Sequence, residues 1–259
     1  MGRSMPQRPM VRPRRARYAS LMDLEDQHVV VIGGSSGIGL GVARACLERG
    51  ASLTLVSRSR DRLARAAAEL GEPRRVRTFA ADATQEAEVR SLFNEHPPAR
   101  HVVVTAVEGH YQPIRALDIA AARRVIDSKL VAALHVAKHA RIEPGGSLTF
   151  TAGIAAERPG PSGAVVAAVN GALMALVRAL AVELAPVRVN ALSPGWVDTP
   201  VWDSLAGGAK QERFAQHARR LPVGRVGAPA DIAHAALFLM GNGFTTGEVL
   251  RVDGGHRLV

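Results

Sequence analysis

Short β-branched stretches and longer alanine- and leucine-rich stretches alternate along the chain from about residue 26 onward. The short stretches predict strands at 28–32, 52–56, 75–80, 101–105, 147–151, 187–192 and 248–252. Helical periodicity predicts helices between them, notably at 37–49, 61–70, 118–140, 163–185 and 229–240. Apolar strands alternating with helices are typical of a parallel sheet covered on both faces. We therefore expect one α/β domain with a doubly wound parallel sheet of about seven strands.

Composition narrows the class of protein. The 259 residues suffice for a single domain over residues 24–259, and aromatic residues make up only 4% of them. The single cysteine, Cys46, leaves no internal disulfide and no multi-cysteine metal site, which fits a cytoplasmic protein. No apolar run approaches the roughly 18 residues that a bilayer span needs, so no membrane segment is expected. The Ala-, Arg-, Gly- and Pro-rich composition suggests a GC-rich coding sequence and, as a guess, specialised metabolism.

Positive charge is concentrated at the N-terminus. The net charge is +10, and the first 20 residues contain six arginines and no acidic residue. Prolines at positions 6, 9 and 13 disfavour a continuous amphipathic helix there, and no apolar stretch follows the arginine pair as in an export signal. Residues 1–23 are interpreted as a disordered basic tail, with no specific nucleic-acid partner. Binding to an anionic surface or nucleic acid, and a targeting role, are the alternatives.

A glycine-rich turn follows the first predicted strand and leads into the first predicted helix. It reads Gly33-Gly34-Ser35-Ser36-Gly37-Ile38-Gly39. Glycine lets the backbone turn tightly and approach a pyrophosphate, which then binds at the helix N-terminus. Because a strand precedes the turn and a helix follows it, the sequence predicts a dinucleotide site of the Rossmann type.

The residues after the second predicted strand indicate which dinucleotide binds. An acidic residue there would bind the ribose hydroxyls of NAD. Ser57 and Arg58 stand there instead and offer a hydroxyl and a guanidinium, which suit a 2′-phosphate. NADP(H) is therefore the predicted cofactor. The alternative is that Arg58 and Arg60 are solvated arginines at the start of a surface helix.

Together these motifs resemble the short-chain dehydrogenase/reductase family over residues 25–259. The resemblance rests on Gly33-x3-Gly37-Ile38-Gly39, on Asp82, and on the segments 193–199, 224–229, 246–247 and 253–255. It implies that Asp82 holds the adenine and that Val197 and Thr199 fix the nicotinamide carboxamide. With Ser57 and Arg58 from the preceding argument, the predicted cofactor-binding residues are Gly33, Ser35, Ser36, Gly37, Ile38, Gly39, Ser57, Arg58, Asp82, Ala83, Ala106, Asn170, Pro194, Gly195, Val197 and Thr199.

The chain departs from the family at all four positions of its Asn-Ser-Tyr-Lys catalytic tetrad. Lys129 aligns with the Asn, and Ala152 or Gly153 with the Ser. Val166 and Asn170 occupy the positions of the Tyr and the Lys, and the whole predicted helix 163–185 contains neither residue type. The family's Asn-Asn-Ala-Gly after the fourth strand is Val104-Thr105-Ala106-Val107 in this chain.

These losses bear on the chemistry that remains. Hydride addition to a ketone produces an alkoxide that needs a proton, whereas addition to an iminium produces a neutral amine. The sequence therefore predicts an NADPH-dependent reductase of an imine, iminium or hemiaminal carbon, or a carbonyl reductase in which Lys129 is the acid. The alternatives are an inactive NADP(H)-binding sensor or scaffold, and a non-redox enzyme such as a dehydratase, isomerase or cyclase.

Several residues are candidates for the site. Lys129, Thr151 and Asn170 are candidate catalytic residues, although Lys129 pairing with Asp127 or Glu108 is an open alternative. The candidate substrate pocket comprises Glu108, His110, Tyr111, Gly153, Trp196 and Trp202. His135 and His139 have the spacing of metal ligands on a helix, but no third ligand is evident and no metal is predicted. The expected partners are a small-molecule substrate and, by resemblance, further copies in a homodimer or homotetramer.

Overall fold

A computed structural model describes residues 23–105 and 109–259 of the protein. The predicted tail up to residue 22, and the candidates Ala106 and Glu108, lie outside the described residues. All seven strands pair in parallel in one sheet, in the order β3-β2-β1-β4-β5-β6-β7. The strands are β1 (His28–Ile32), β2 (Ser52–Ser57), β3 (Val76–Ala80), β4 (Ala99–Val104), β5 (Ile142–Thr151), β6 (Arg188–Pro194) and β7 (Val249–Val252). The predicted seven-stranded Rossmann-type fold is confirmed.

Helices connect the strands and cover both faces of the sheet. They are α1 (Gly37–Leu47), α2 (Arg60–Leu70), α3 (Glu86–Glu95), α4 (Ile119–Ile126), α5 (Ala132–His139), α6 (Ala164–Glu183), α7 (Val201–Ala206), α8 (Lys210–Ala218) and α9 (Pro229–Gly241). Each predicted helix is present with slightly different ends. The sequence did not predict α3, α7 or α8.

Two apolar clusters, one on each face of the sheet, hold the layers together. Side chains alternate along a strand, so Val29 and Val31 of β1 belong to one cluster and Val30 and Ile32 to the other. The first cluster contains residues of α1 and α9, and the second contains residues of α6. Each fully buried Val or Ile contributes about 1.5–3 kcal/mol to folding. Both faces are covered, which explains why the central strands are unbroken apolar runs.

The predicted helix 118–140 is not one regular helix. A π-helical segment, Asp127–Val131, separates α4 from α5. Such wide turns occur mostly inside α-helices at functional sites. Lys129 lies in the middle of this segment and is buried, so the irregularity coincides with a candidate catalytic residue.

One helix of the described residues is long and apolar enough, by length and composition alone, to cross a bilayer. Helix α6 is 20 residues long with a mean hydropathy of 2.0. Asn170 and Arg178 interrupt its apolar run, so a search for an unbroken run missed it. One face of α6 packs on the sheet through Leu173 and Val177, and 33% of its apolar window is buried. A long core helix with small residues passes the same test as a membrane span.

The sheet reverses its direction of growth between β1 and β4, its two central strands. The connections that leave the carboxyl ends of these strands run to opposite faces, so a crevice opens between them. The glycine-rich turn after β1 and Thr105 after β4 lie at this crevice. The fold therefore places the predicted dinucleotide site where open α/β sheets bind ligands.

Candidate active site

The turn after β1 has a backbone that only glycine fits. Gly33 and Gly37 have φ angles of 88° and 53°, in the left-handed region. A Cβ atom on Gly39 would lie 2.6 Å from the hydroxyl oxygen of Thr105 and would also collide with the carbonyl oxygen of Gly33. Ser36, the N-cap of α1, makes no side-chain capping bond, and the first turn of α1 contains no acidic residue. The amide groups of this helix end therefore suit a pyrophosphate.

Thr105 at the end of β4 supports this turn. Its hydroxyl donates to the carbonyl oxygen of Ile32 at 3.1 Å, and its backbone amide donates to the same oxygen at 2.8 Å. The side chain thus ties the end of β4 to the start of the glycine turn. The sequence motifs alone do not indicate a functional role for Thr105. The signal that could have identified it is a hydroxyl directly after a buried strand, beside a glycine turn.

The residues predicted to bind the adenosine end lie at the carboxyl ends of β2 and β3. Ser57 is the last residue of β2 and pairs with Ala80 of β3. Arg58 is exposed. The Asp82 carboxylate accepts hydrogen bonds from the Thr84 amide and hydroxyl, both at 2.9 Å.

The residue after Asp82 is fixed through its backbone. His135 Nδ1 donates to the carbonyl oxygen of Ala83 at 3.1 Å. His139 Nε2 lies 2.8 Å from Glu86 Oε1. Both histidines of the supposed metal pair are therefore held to the segment after β3. Among the described residues no group of three or more potential metal ligands occurs.

A cavity of about 860 Å³ adjoins the glycine turn, within the range of ligand pockets in proteins. It brings together most of the predicted nicotinamide-end and substrate residues: Ile38, Tyr111, Lys129, Thr151, Gly153, Asn170, Pro194, Gly195, Trp196, Val197, Thr199 and Trp202. Thr105 and Val166 line it as well. His110 does not, because its ring is directed to Gln112, with Nε2 3.0 Å from Oε1. The assignment of His110 to the substrate pocket stays a prediction.

The reaction end of the cavity lacks the usual hydroxyl donors. A Cβ atom on Gly153 would lie 3.1 Å from Asn170 Nδ2, which favours Gly153 over Ala152 as the position of the family's Ser. Val166 carries no polar atom. Asn170 is only 2% exposed, and its Oδ1 has no hydrogen-bond partner among the described residues. The hydroxyl of Thr151 is likewise buried without one. An acceptor left without a donor costs free energy, so both groups suit a bound ligand.

Lys129 reaches this end of the cavity from the π-helical segment. Its Nζ donates to the carbonyl oxygen of Ala152 at 3.0 Å, and not to the carboxylate of Asp127. Burial lowers the pKa of Lys129 from its usual value to about 8, since the ammonium loses its hydration. Both protonation states are therefore accessible near neutral pH.

Aromatic rings form the opposite wall. The ring centroids of Trp196 and Trp202 are 4.3 Å apart, and the ring of His217 stacks on Trp196 at 4.1 Å. Phe214 supports the wall from behind, 5.3 Å from Trp202 and edge-on to it. The two tryptophans predicted to form an apolar wall do lie together on the cavity. No local sequence pattern indicates that His217 belongs to this wall.

Comparison with known proteins identifies the family. A family model described as Enoyl-(Acyl carrier protein) reductase matches residues 32–257. The short-chain dehydrogenase/reductase ATR9 of Stachybotrys chlorohalonatus is 32% identical over 247 residues, covering 90% of this chain and 97% of the relative. The chain belongs to the short-chain dehydrogenase/reductase family. It is thus an oxidoreductase-family chain, and the replacement of the catalytic tetrad stays a prediction from the sequence.

Solved structures of the short-chain dehydrogenase/reductase family agree with this fold. MalC Reductase/Diels-Alderase from Malbranchea aurantiaca superposes with a TM-score of 0.86 at 30% identity, covering 92% of this chain and 100% of MalC. A small-chain dehydrogenase in complex with NADPH gives a TM-score of 0.78 at 30% identity, covering 91% of this chain and 100% of the other.

Proposed function

We propose that this protein is an NADP(H)-dependent reductase whose substrate carbon is part of a carbon–nitrogen double bond, in an imine, an iminium or the iminium formed from a hemiaminal. The observation that carries the proposal is the composition of one cavity. Its nucleotide side keeps the glycine turn, Thr199 and an unsatisfied Asn170 oxygen. At the positions of the family's Ser and Tyr it has Gly153 and Val166, which can donate no proton.

The residues present fit a nicotinamide dinucleotide phosphate. The amide groups at the N-terminus of α1 would hold the pyrophosphate, and Asn170 Oδ1 would accept from a ribose hydroxyl. Arg58 is exposed beside Ser57 and would pair with the 2′-phosphate. A structural neighbour binds NADPH, as its name states. When bound, NADPH would supply a hydride; the protein residues have to bind, orient and manage protons.

The protein's own groups favour a substrate that needs no proton at the moment of reduction. A placed general acid is worth about 10²–10⁴-fold in rate, or about 3–5 kcal/mol of barrier. A ketone would lose that contribution here, because it becomes an alkoxide. An iminium carbon that accepts a hydride forms a C–H bond while the π electrons become the nitrogen lone pair. The neutral product needs nothing from Val166 or Gly153.

Lys129 has a defined part in this proposal. Its hydrogen bond to the Ala152 carbonyl fixes the amine over the reaction end of the cavity. As the neutral amine it would not repel a cationic carbon, and as the ammonium it could protonate an imine nitrogen or an alkoxide. Carbonyl reduction with Lys129 as the acid is therefore the runner-up within the same reaction class.

One observation favours a second candidate function. The name of MalC includes Diels-Alderase activity as well as reductase activity. The whole of the MalC chain superposes on 92% of this chain. The aromatic wall of Trp196 and Trp202 could hold a substrate folded for ring closure, which needs no cofactor chemistry. A cyclase is thus the non-redox alternative.

Turnover assays test these proposals. NADPH oxidation is followed by its absorbance with matched pairs of cyclic imines and the corresponding cyclic ketones, after NADPH binding has been measured by fluorescence. The proposal expects imines to react at least tenfold faster than ketones. Ketones reacting equally well would overturn it. NADPH binding without turnover would indicate a sensor or scaffold, and product formation without NADPH oxidation a cyclase or other non-redox enzyme.

The assembly and the location of the protein remain predictions. The family resemblance predicts a homodimer or homotetramer, which light scattering coupled to size-exclusion chromatography can test. A cytoplasmic location remains an expectation from the single cysteine, and fluorescence microscopy of a tagged full-length chain can test it.

A further inference from the structure

The charge of the cavity lining is one-sided. Among its described residues are four cationic side chains, Lys129, Arg158, Arg213 and Arg220, and no Asp or Glu. Arg158 and Arg220 are exposed at the cavity, and neither guanidinium forms an ion pair or side-chain hydrogen bond with the described part of the chain. Two unpaired guanidinium groups facing one cavity indicate an anionic ligand.

The acidic residue closest to Arg158 in the sequence is already engaged. Glu157 accepts from Arg251 in a bidentate arrangement, with Nε 2.9 and 3.0 Å from the two carboxylate oxygens. The Asp253 carboxylate accepts from the Gly255 amide at 3.0 Å and from the Arg257 amide at 3.1 Å. Neither carboxylate is therefore available to neutralise Arg158.

The acidic residues around the aromatic wall are also paired. Lys210 Nζ lies 2.8 Å from Asp198 and 3.0 Å from Asp203. The side chains of Asp198 and Asp203 are more than half exposed, so these ion pairs contribute little to the free energy of folding. Asp198 and Asp203 are thus already paired with a lysine, and neither lines the cavity.

Arg158 and Arg220 act on the same place. Burial is the main cause of the lowered pKa of His256. The positive charges of both arginines add to it, and the carboxylate of Asp253, which is paired with Arg257, opposes it. His256 lies edge-on to His217, with ring centroids 4.4 Å apart. Burial, together with His256 and Arg220, lowers the pKa of His217 to about 4. Both imidazoles are thus neutral at physiological pH, and the two arginines supply the positive charge at this end.

We infer that the substrate carries an acid group, bound by Arg158 and Arg220, next to a planar or ring-shaped body that packs on Trp196 and Trp202. Arginine guanidinium groups match the two oxygens of a carboxylate or phosphate. The inference deepens the proposed function. It rests on that function only for the identity of the reacting carbon, and the acid subsite itself is argued from the cavity lining. It also resolves a conflict of charge, since a cationic lining would repel a simple iminium but would accept one that bears an acid group and is neutral overall.

Binding of unreactive probes tests the inference without requiring turnover. Naphthoate, naphthyl phosphate and naphthamide share one ring system and differ in charge. Each is titrated by calorimetry into the full-length protein saturated with NADP⁺, so that the nucleotide site is closed to them. We expect the better of the two acids to bind about tenfold more tightly than the amide, as hydrogen bonds to charged groups imply. Which acid is preferred identifies the group.

Variants assign the effect to the two arginines. R158Q/R220Q should lose the preference for the acid and leave the affinity for naphthamide unchanged. R219Q is the matched control, because Arg219 is exposed and adjacent to Arg220 but does not line the cavity. Circular dichroism confirms that each variant is folded. Equal binding of acid and amide by the parent protein, or a preference that survives in R158Q/R220Q, would overturn the inference.

A failure of the proposed reaction would look different. If NADP⁺ does not bind in the preliminary titration, or if no imine is reduced, the proposed function fails even when the acid preference is present. If imines are reduced and an acid-bearing imine reacts no better than its methyl ester, the proposed function stands and the acid subsite fails.

Discussion

The two ends of the cofactor crevice are constructed differently. The nucleotide end is shaped by backbone, through Gly33, Gly37 and Gly39 and the amide groups at the start of α1. The reaction end is shaped by side chains, and the family resemblance predicts that all four of its usual catalytic side chains are replaced. A backbone site cannot change without changing the fold, whereas side chains on the same scaffold can be exchanged. In this fold, cofactor binding and the catalytic chemistry at the bound cofactor therefore depend on separate features and can change independently.

The largest effect should come from breaking the backbone end. Gly39→Val places a branched side chain against the Gly33 carbonyl and the Thr105 hydroxyl. The turn has to move, so we expect NADPH affinity to fall more than 100-fold and the melting temperature to drop. Fluorescence titration and thermal denaturation measure both. Gly243→Ala is the control, because a Cβ there meets no heavy atom within 4 Å. Near-normal NADPH binding by Gly39→Val would refute the assignment of the turn.

Restoring the side-chain end should have the next largest effect. The variant K129N/G153S/V166Y/N170K rebuilds the family's four residues on an unchanged backbone, and Gly153 already has an extended conformation that serine adopts (φ 171°). We expect ketone reduction to rise by about 10²–10⁴-fold, the usual worth of a placed acid. Steady-state NADPH oxidation with a cyclic ketone measures it. V166F, which adds a ring without a hydroxyl, is the control and should produce no gain.

Removing the charge of Lys129 tests the reaction end of the crevice through the free energy of unfolding. Burial depresses the pKa of Lys129 to about 8, so the unfolded chain binds more protons between pH 8 and its ordinary value. The buried ammonium therefore lowers the free energy of unfolding. This destabilisation is fully present below pH 8 and disappears as the pH rises from about 8 to the ordinary pKa of lysine. Lys129→Met should therefore raise the free energy of unfolding at pH 7 by on the order of 3 kcal/mol, less the value of the lost hydrogen bond.

Urea denaturation between pH 7 and 10 measures this gain, which should shrink as the pH rises. A gain that does not change with pH would contradict the buried ammonium. The same variant separates the two chemistries. Imine reduction should persist in Lys129→Met, whereas carbonyl reduction should be lost if Lys129 is the acid.

The choice between NADPH and NADH tests a surface contact of the nucleotide end. Arg58→Gln removes the guanidinium predicted to pair with the 2′-phosphate. We expect the preference for NADPH over NADH, measured as a ratio of dissociation constants, to fall about tenfold. Arg60→Gln is the matched control, since this exposed arginine begins α2. An unchanged ratio in Arg58→Gln would show that Arg58 is a solvated surface arginine that does not contact the 2′-phosphate.

Sequence reasoning succeeded where local pattern determines structure. Strand β1, the glycine turn and α1 follow each other in the chain, so the nucleotide end could be predicted from consecutive residues. The wall of the cavity could not, because His217 stacks on Trp196 from about 20 residues further along the chain, a contact that no local pattern encodes. The π-helical segment at Lys129 escaped because its side-chain pattern is that of an ordinary helix. The hydrogen bond between His110 and Gln112 was equally invisible in the sequence, since it depends on the conformation of the loop after β4.

Thr105 is a side chain that supports the backbone of the nucleotide end. Its substitution should have the smallest effect on stability and on NADPH binding. Its hydroxyl bond to the Ile32 carbonyl joins β4 to the glycine turn. Thr105→Val keeps the shape and removes this bond, so we expect a loss of about 1 kcal/mol in the free energy of unfolding and a modest weakening of NADPH binding. Thr105→Ser keeps the hydroxyl and should retain both. If Val and Ser behave alike in urea denaturation, the hydroxyl has no role and the turn is held by the backbone bond of Thr105 alone.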